Sequence, residues 1–430
     1  MAKETCESIR LDSSSSLALI AELAASSLSS QLSSLSLKFE PINTSATSQK
    51  VSTGLLTPCQ RIQPSAPQDI DVILSASHPL NTGLTTKSAL VRSLRGERTA
   101  PLPVWFMRQA GRSLPEYREI RLGTTMLESC LNPDLVFEIT MQPVRRHQTD
   151  AAILFSDIVI PLKLAGIDVE IVAGVGPVIK DPIATTQDLD RLKPITPESL
   201  GPIRSAVQKL VAELGSTPLI GFGGAPFTLA SYLFEGGPSK DLPKSRAIMH
   251  GDPKLWNSVL SWCAEITAEF IRAQVLAGAS ALQVFDSWAG KLTVSEYEQF
   301  AAPHTKTLFS LLEDLKDDAG IAVPRTLFGL GTKDMLTEMH QTGATVMGVD
   351  HFTTLSFATE VLGPSVPLQG NINPELLTEA WEVIEQEVKN VIASGVGAPG
   401  HIVNLGHGVP KDTNPEILTK IVSLVHELTK

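Results

Sequence analysis

Eight short runs that are apolar on both faces recur along this chain, with longer helix-patterned stretches between them. That alternation limits the fold more than any other feature. The runs are 104–107, 151–155, 218–222, 281–285, 325–328, 345–349, 366–369 and 402–405. A strand exposed to water on one face alternates apolar with polar residues. A strand buried on both faces does not, and it belongs in a parallel sheet whose crossover helices cover both sides. The helix starts are equally legible. Asn132-Pro133, Asp252-Pro253, Asn373-Pro374 and Asn414-Pro415 each put a side-chain acceptor at the N-cap. Proline follows at the first helical position, where its missing N–H leaves nothing unpaired. Beyond Asn414, the residues Leu418, Ile421, Val422, Val425 and Leu428 form one apolar stripe. Eight strands with intervening helices predict an α/β protein, a single (β/α)8 TIM barrel over residues 86–430. An open doubly wound sheet is the alternative.

Composition narrows the class further. Of 430 residues, 43% are apolar and 19% charged, enough for a large core. No uncharged apolar run approaches the length of a membrane span. The formal charge of −11 excludes a global basic footprint for nucleic acid, so an anionic ligand needs local cations. Cys6, Cys59, Cys130 and Cys263 are scattered, without a CxxC or HxC pair, which argues against a zinc site and for a reducing compartment. Residues 1–85 differ from the rest, with runs such as Ser13-Ser14-Ser15-Ser16 and scarce glycine. They read as a poorly ordered or non-native extension, with folded structure expected from about residue 86 and a cytoplasmic protein. A plastid location is the alternative if this segment is a transit peptide, although its acids are as frequent as its bases.

In a barrel, the site forms where the strands end. The run 104–107 is followed by Arg108, Gln109 and Arg112; 151–155 by Ser156-Asp157; 218–222 by Gly223-Gly224; 281–285 by Asp286-Ser287; and 402–405 by Gly406-His407-Gly408. Five strands thus deliver polar or glycine residues to one rim. Arg108 and Arg112 offer planar, permanently charged partners for carboxylate or phosphate. The spacing equally suits a solvated basic helix start. Asp157 is either a strand-end cap or a site acid that needs N–H or cationic partners. Gly221-Phe222-Gly223-Gly224 lacks the Walker lysine and reads as a tight turn. Tyr232 has a structural reading. So does His407, though its flanking glycines suggest that something approaches the backbone closely.

Longer motifs carry a resemblance. Pro103-Val104-Trp105-Phe106-Met107-Arg108-Gln109-Ala110-Gly111-Arg112, with Leu114-Pro115-Glu116-Tyr117-Arg118, closely resembles the N-terminal signature of the uroporphyrinogen decarboxylase family. Ala151-Ala152-Ile153-Leu154-Phe155-Ser156-Asp157-Ile158, Gly221-Phe222-Gly223-Gly224-Ala225-Pro226-Phe227-Thr228-Leu229, Gln283-Val284-Phe285-Asp286-Ser287-Trp288-Ala289-Gly290 and Asn404-Leu405-Gly406-His407-Gly408 follow in family order. The resemblance implies a (β/α)8 barrel that removes the carboxyl groups of the four acetate side chains of uroporphyrinogen III. The product would be coproporphyrinogen III, with release of four CO2, in haem and chlorophyll synthesis. It implies a homodimer with no metal, no organic cofactor, no nucleic-acid partner and no membrane. Carried over by motif, Arg108, Gln109, Ala110, Gly111, Arg112 and Arg121 would contact substrate carboxylates. Asp157 would bind the pyrrole N–H groups, and Tyr232, Ser287 and His407 would line the pocket. Phe155 and Phe285 would be apolar walls, with Asp157 and Arg108 catalytic. Asp350-His351 stands where many members have Asp-Trp, and Gly329-Leu330-Gly331-Thr332-Lys333 departs from the family pattern. Two competing functions are a zinc-dependent corrinoid methyltransferase, whose paired His and Cys ligands are missing here, and a non-enzymatic porphyrin-binding protein.

Overall fold

The computed structural model describes residues 73–430. Its strands, numbered along the chain, are β1 (Ala152–Ile153), β2 (Val169–Val172), β3 (Gly176–Ile179), β4 (Leu219–Gly224), β5 (Ala281–Asp286), β6 (Arg325–Gly329), β7 (Val346–Gly348), β8 (Leu368–Gln369) and β9 (His401–Ile402). Seven of them form one sheet in the order β1-β4-β5-β6-β7-β8-β9. Every pairing in it is parallel, with registers such as Ile220↔Ala281, Leu282↔Arg325 and Thr326↔Val346. Helices cover its outer face, so all six residues of β4 and all five of β6 are buried. This is the both-sides burial that the apolar runs predict. Seven of the eight predicted runs enter the sheet. The eighth, 104–107, contributes a single parallel bridge, Val104↔Val403. Trp105 N–H donates to the Val403 carbonyl at 3.3 Å, and the Val104 carbonyl accepts from Asp150 N–H at 2.9 Å.

The sheet curls. Gln369 on β8 donates from Nε2 to Gln283 Oε1 on β5 at 3.1 Å, although two strands separate them in the sheet order. Trp105 Nε1 donates to Gln369 Oε1 at 3.2 Å. These three side chains span the inside of the curl. Around them is an inner apolar cluster that includes Trp105, Met107, Ile153, Ile220, Phe222, Phe328 and Ile402. Leu90 and Leu94 of the helix Ala89–Leu94 belong to the same cluster. A much larger apolar layer lies between the sheet and its outer helices.

The Asx-Pro signals behave as their chemistry dictates. Asn132 caps the helix Pro133–His147, Asp252 caps Pro253–Leu276 and Asn414 caps Pro415–Leu428, each side chain accepting a first-turn N–H. Asn373 also caps, but it opens only the short 3-10 turn Pro374–Thr378, and the long helix Trp381–Ser394 starts afterwards. The antiparallel hairpin β2–β3 goes beyond the sequence reading.

The expected start of folded structure near residue 86 is too late. Leu74, His78, Leu80 and Thr85 are all buried. His78 takes the Leu80 N–H on Nδ1 at 3.2 Å and donates from Nε2 to the Val275 carbonyl at 3.0 Å. Thr85 shares a 2.8 Å hydrogen bond with Ser280. The Ser-rich remainder of the predicted extension lies outside the described residues.

Candidate functional site

The ends of the runs 104–107 and 402–405 meet at one cavity, and the turn after Met107 shows how. Gln109 is fully buried; its Oε1 accepts from Phe106 N–H at 3.1 Å and its Nε2 donates to the Ala151 carbonyl at 3.1 Å. Those two bonds fix a turn in which Arg108 adopts a left-handed backbone, φ 61°. A non-glycine residue held there costs about 1 kcal/mol or more, which the pinned neighbours must offset. The outcome is a guanidinium with a set direction. Its stem lies across Gly408, where an added Cβ would come within 2.4 Å of Arg108 Cδ. This is the close approach that the glycines around His407 implied. Gly406 has a different reason: a Cβ there would meet the His351 backbone nitrogen.

Arg108, Arg112 and His407 line one cavity of about 400 Å³, together with His351, Phe352 and Lys411. Among the described residues, neither Arg108 nor Arg112 has an ion pair or a side-chain hydrogen bond. Two exposed guanidiniums without an ion pair, at the wall of one cavity, suit an anion. A larger hollow of about 540 Å³ is lined by His250, Glu296 and Phe300, and no predicted site residue borders it.

Asp157 follows β1 and is half-buried. Its Oδ1 accepts from Val159 N–H at 3.1 Å, just before the helix Ile160–Leu164. The capping reading therefore holds for Oδ1. Burial pushes the carboxyl above its ordinary range, while the Val159 N–H and the Arg108 charge pull it back. Tyr232 feels the same pair: its hydroxyl is pushed up to about 12, first by burial and then by Asp157, with Arg108 opposing. Burial lowers the His407 imidazole, and Arg108 and His351 lower it further. Arg108, Asp157, Tyr232 and His407 thus form one electrostatic unit.

The other predicted residues take varied places. The Tyr232 ring lies against Trp288, centroids 4.3 Å apart, and Ser287 sits half-buried beside it in sequence. Phe285 packs edge-on against Phe222 and Phe328 at 5.5 and 6.1 Å, and Phe155 against Tyr117 at 5.8 Å. Gln109 turns its side chain into the wall. Arg121 does not line the cavity. Its guanidinium donates to Thr124 Oγ1 at 3.3 Å, to the Thr125 carbonyl at 2.5 Å and to Ser129 Oγ. It remains in the same neighbourhood, because the buried Cys130 thiol feels both Asp157 and Arg121.

Sequence reasoning placed Asp286 at a strand end but gave it no role. It is fully buried at the end of β5; its Oδ1 accepts from Thr228 Oγ1 at 2.6 Å and its Oδ2 has no partner. Burial pushes this carboxyl up to about 6. Thr228 Oγ1 in turn accepts from Trp288 N–H at 3.2 Å, so Asp286 braces the turn that carries Ser287 and Trp288. Among the described residues no cluster of His, Cys, Asp or Glu suits a metal ion.

A curled parallel α/β sheet whose strand ends set free guanidiniums around a recessed carboxylate defines a cleft protein built for a small polyanion. The chain belongs to the uroporphyrinogen decarboxylase family, whose sequence model matches residues 85–428. It is 52% identical over 368 residues to the uroporphyrinogen decarboxylase of Leifsonia xyli subsp. xyli, covering 82% of this chain and 98% of that one. It is 54% identical over 342 residues to that of Salinispora tropica, covering 80% and 91%. Among solved structures, a methyltransferase from Methanosarcina mazei superposes with a TM-score of 0.67 at 19% identity, covering 81% of this chain and 100% of that one. That likeness is one of fold.

Proposed function

We propose that this chain decarboxylates uroporphyrinogen III, converting its four acetate side chains to methyl groups with release of four CO2 to give coproporphyrinogen III, a step of porphyrin biosynthesis. The observation that carries the reading is Arg108, held across Gly408, close enough for its charge to act on the recessed Asp157. The chemistry needs both. Losing CO2 from an acetate leaves an electron pair that requires a sink. Protonating the pyrrole ring creates one, so the substrate itself does what a cofactor would. The cationic ring needs a nearby anion sheltered from water, and Asp157 is that anion. Its acceptor oxygens also suit the pyrrole N–H groups. Arg108 and Arg112 hold carboxylate arms, Tyr232, Ser287 and His407 shape the pocket, and Phe155 and Phe285 exclude water. Arg121 acts at a distance, by ordering the segment around Cys130.

We further propose that the sheet closes into a (β/α)8 barrel through the 103–105 segment. The bonds of Val104 and Trp105 to Val403 on one side and to Asp150 on the other support this. The enzyme acts in the cytoplasm, as the homodimer that the family motifs imply. The deciding experiment is anaerobic turnover of uroporphyrinogen III with CO2 counted. Four CO2 per coproporphyrinogen are expected. Binding without CO2 release would overturn the reading in favour of a porphyrin carrier.

A further inference from the structure

We infer that Lys411 is a further substrate-binding residue, which holds one of the propionate carboxylates that survive the reaction. The inference rests on the decarboxylase reading. Uroporphyrinogen brings eight carboxylates into a protein of net charge −11, so its arms must find local cations. Of the three arginines expected to receive them, Arg121 is occupied by Thr124, Thr125 and Ser129. The cavity wall has a different third cation, Lys411, beside Arg108 and Arg112. Among the described residues its ammonium has no ion pair or hydrogen bond.

Its position is built rather than incidental. Val409 N–H donates to the Met107 carbonyl at 2.9 Å, tying the loop to the turn that carries Arg108. Thr413 N–H donates to the Pro410 carbonyl at 3.2 Å, and Thr413 is buried. Lys411 therefore sits at the second position of a turn anchored at both ends, with proline before it. One acid, Glu375, shares the cavity, and no ion pair joins it to Lys411. Lys411 is exposed at the rim, whereas Asp157 is recessed. The reacting acetate must reach the charge of Asp157. The acetates disappear one by one while the four propionates are present at every turnover, so a rim cation that serves all four steps holds a propionate.

The test is steady-state kinetics of the full chain carrying Lys411→Gln or Lys411→Arg, with uroporphyrinogen III and with the pentacarboxylate intermediate as substrates. Both substrates keep all four propionates. Lys411→Gln should raise KM about three- to tenfold for both, with kcat within twofold, as expected for a rim charge. The difference from the parent should shrink as salt screens the contact, and Lys411→Arg should restore KM. A KM rise confined to the octacarboxylate would assign Lys411 to an acetate and overturn the inference. Unchanged KM for both substrates would also overturn it, as would a melting temperature that falls alike in Lys411→Gln and Glu375→Gln with KM unmoved, since that identifies a structural pair. A parent enzyme that releases no CO2 overturns the decarboxylase reading instead.

Discussion

The two oxygens of Asp157 are used differently. Oδ1 accepts the Val159 N–H, while Oδ2 accepts no hydrogen bond among the described residues. Substitution can separate these duties. Asn keeps an acceptor for Val159 and is itself a good cap, so Asp157→Asn should melt within a few degrees of the parent. It cannot offset a protonated pyrrole, so kcat should fall about 10²–10³-fold, the usual loss when one preorganised electrostatic group is removed. Asp157→Glu keeps the charge and should retain more activity than Asn. Parallel turnover and melting measurements decide, and a stable Asn variant with near-parental kcat would refute the charge role. Asp157 was legible in the sequence because it stands just past an apolar run, one residue after Ser156. The position of Asp286 was equally legible, but its role was not. Its meaning depends on Thr228, 58 residues away, and on complete burial, and neither is written locally.

At the scale of elements, the strand runs and Asx-Pro caps were readable because they follow from local rules: both-sides burial and an acceptor before proline. The 3-10 turn Pro374–Thr378 escaped because the cap signal marks a start and says nothing of length. The eighth run shrank to a bridge at Val104 because the chain leaves for the Arg108 turn almost at once. Glycines separate site from scaffold with similar economy. A Cβ on Gly408 would meet the Arg108 side chain, which can swing aside. A Cβ on Gly400 would lie 1.9 Å from the Ser93 carbonyl oxygen, which is backbone and cannot move so readily. Gly408→Ala should therefore lower kcat/KM at least about tenfold with little change in melting temperature. This corresponds to displacing one charged contact worth ~1.4 kcal/mol or more. Gly400→Ala should instead cut soluble yield and melting temperature while the surviving protein turns over normally. If both variants lost stability alike and Gly408→Ala kept its specific activity, the placement of Arg108 against that loop would be wrong.

Over the whole molecule, the N-terminal boundary and the pH response are collective properties. Deleting residues 1–72 should leave turnover within a few-fold, consistent with their Ser-rich composition. Deleting 1–85 should cost stability, since it strips Leu74 and Leu80 from the core, each worth about 1.5–3 kcal/mol when fully buried. Equal melting temperatures for the two truncations would contradict the packing of 73–85. Acid should act through the interior. His147, His304 and His401 are buried, and burial first of all pushes each imidazole down to about 4, with Arg146 adding to the effect at His147. The unfolded chain binds those protons near the ordinary histidine range and the fold resists them. Their contribution is therefore complete above about pH 6.5 and is lost as pH falls towards about 4, at roughly 1.4 kcal/mol per pKa unit. Asp286 runs the other way: its carboxyl, pushed up to about 6, favours the fold at low pH and gives up that advantage as pH rises from about 4 to about 6. His78 and His407, lowered by burial, act with these histidines, and Asp157, raised by burial, acts with Asp286, so five imidazoles against two carboxyls predict net acid destabilisation between pH 6.5 and 4. His304 is the best probe, because its Nε2 hydrogen-bonds Asn257 Oδ1 at 3.0 Å and a glutamine amide can replace that donor. In His304→Gln the melting temperature should decline less steeply over this window than in the parent, with the two curves closest above pH 7. Curves that stay parallel from pH 7.5 to 4.5 would mean that His304 titrates alike in the folded and unfolded chains.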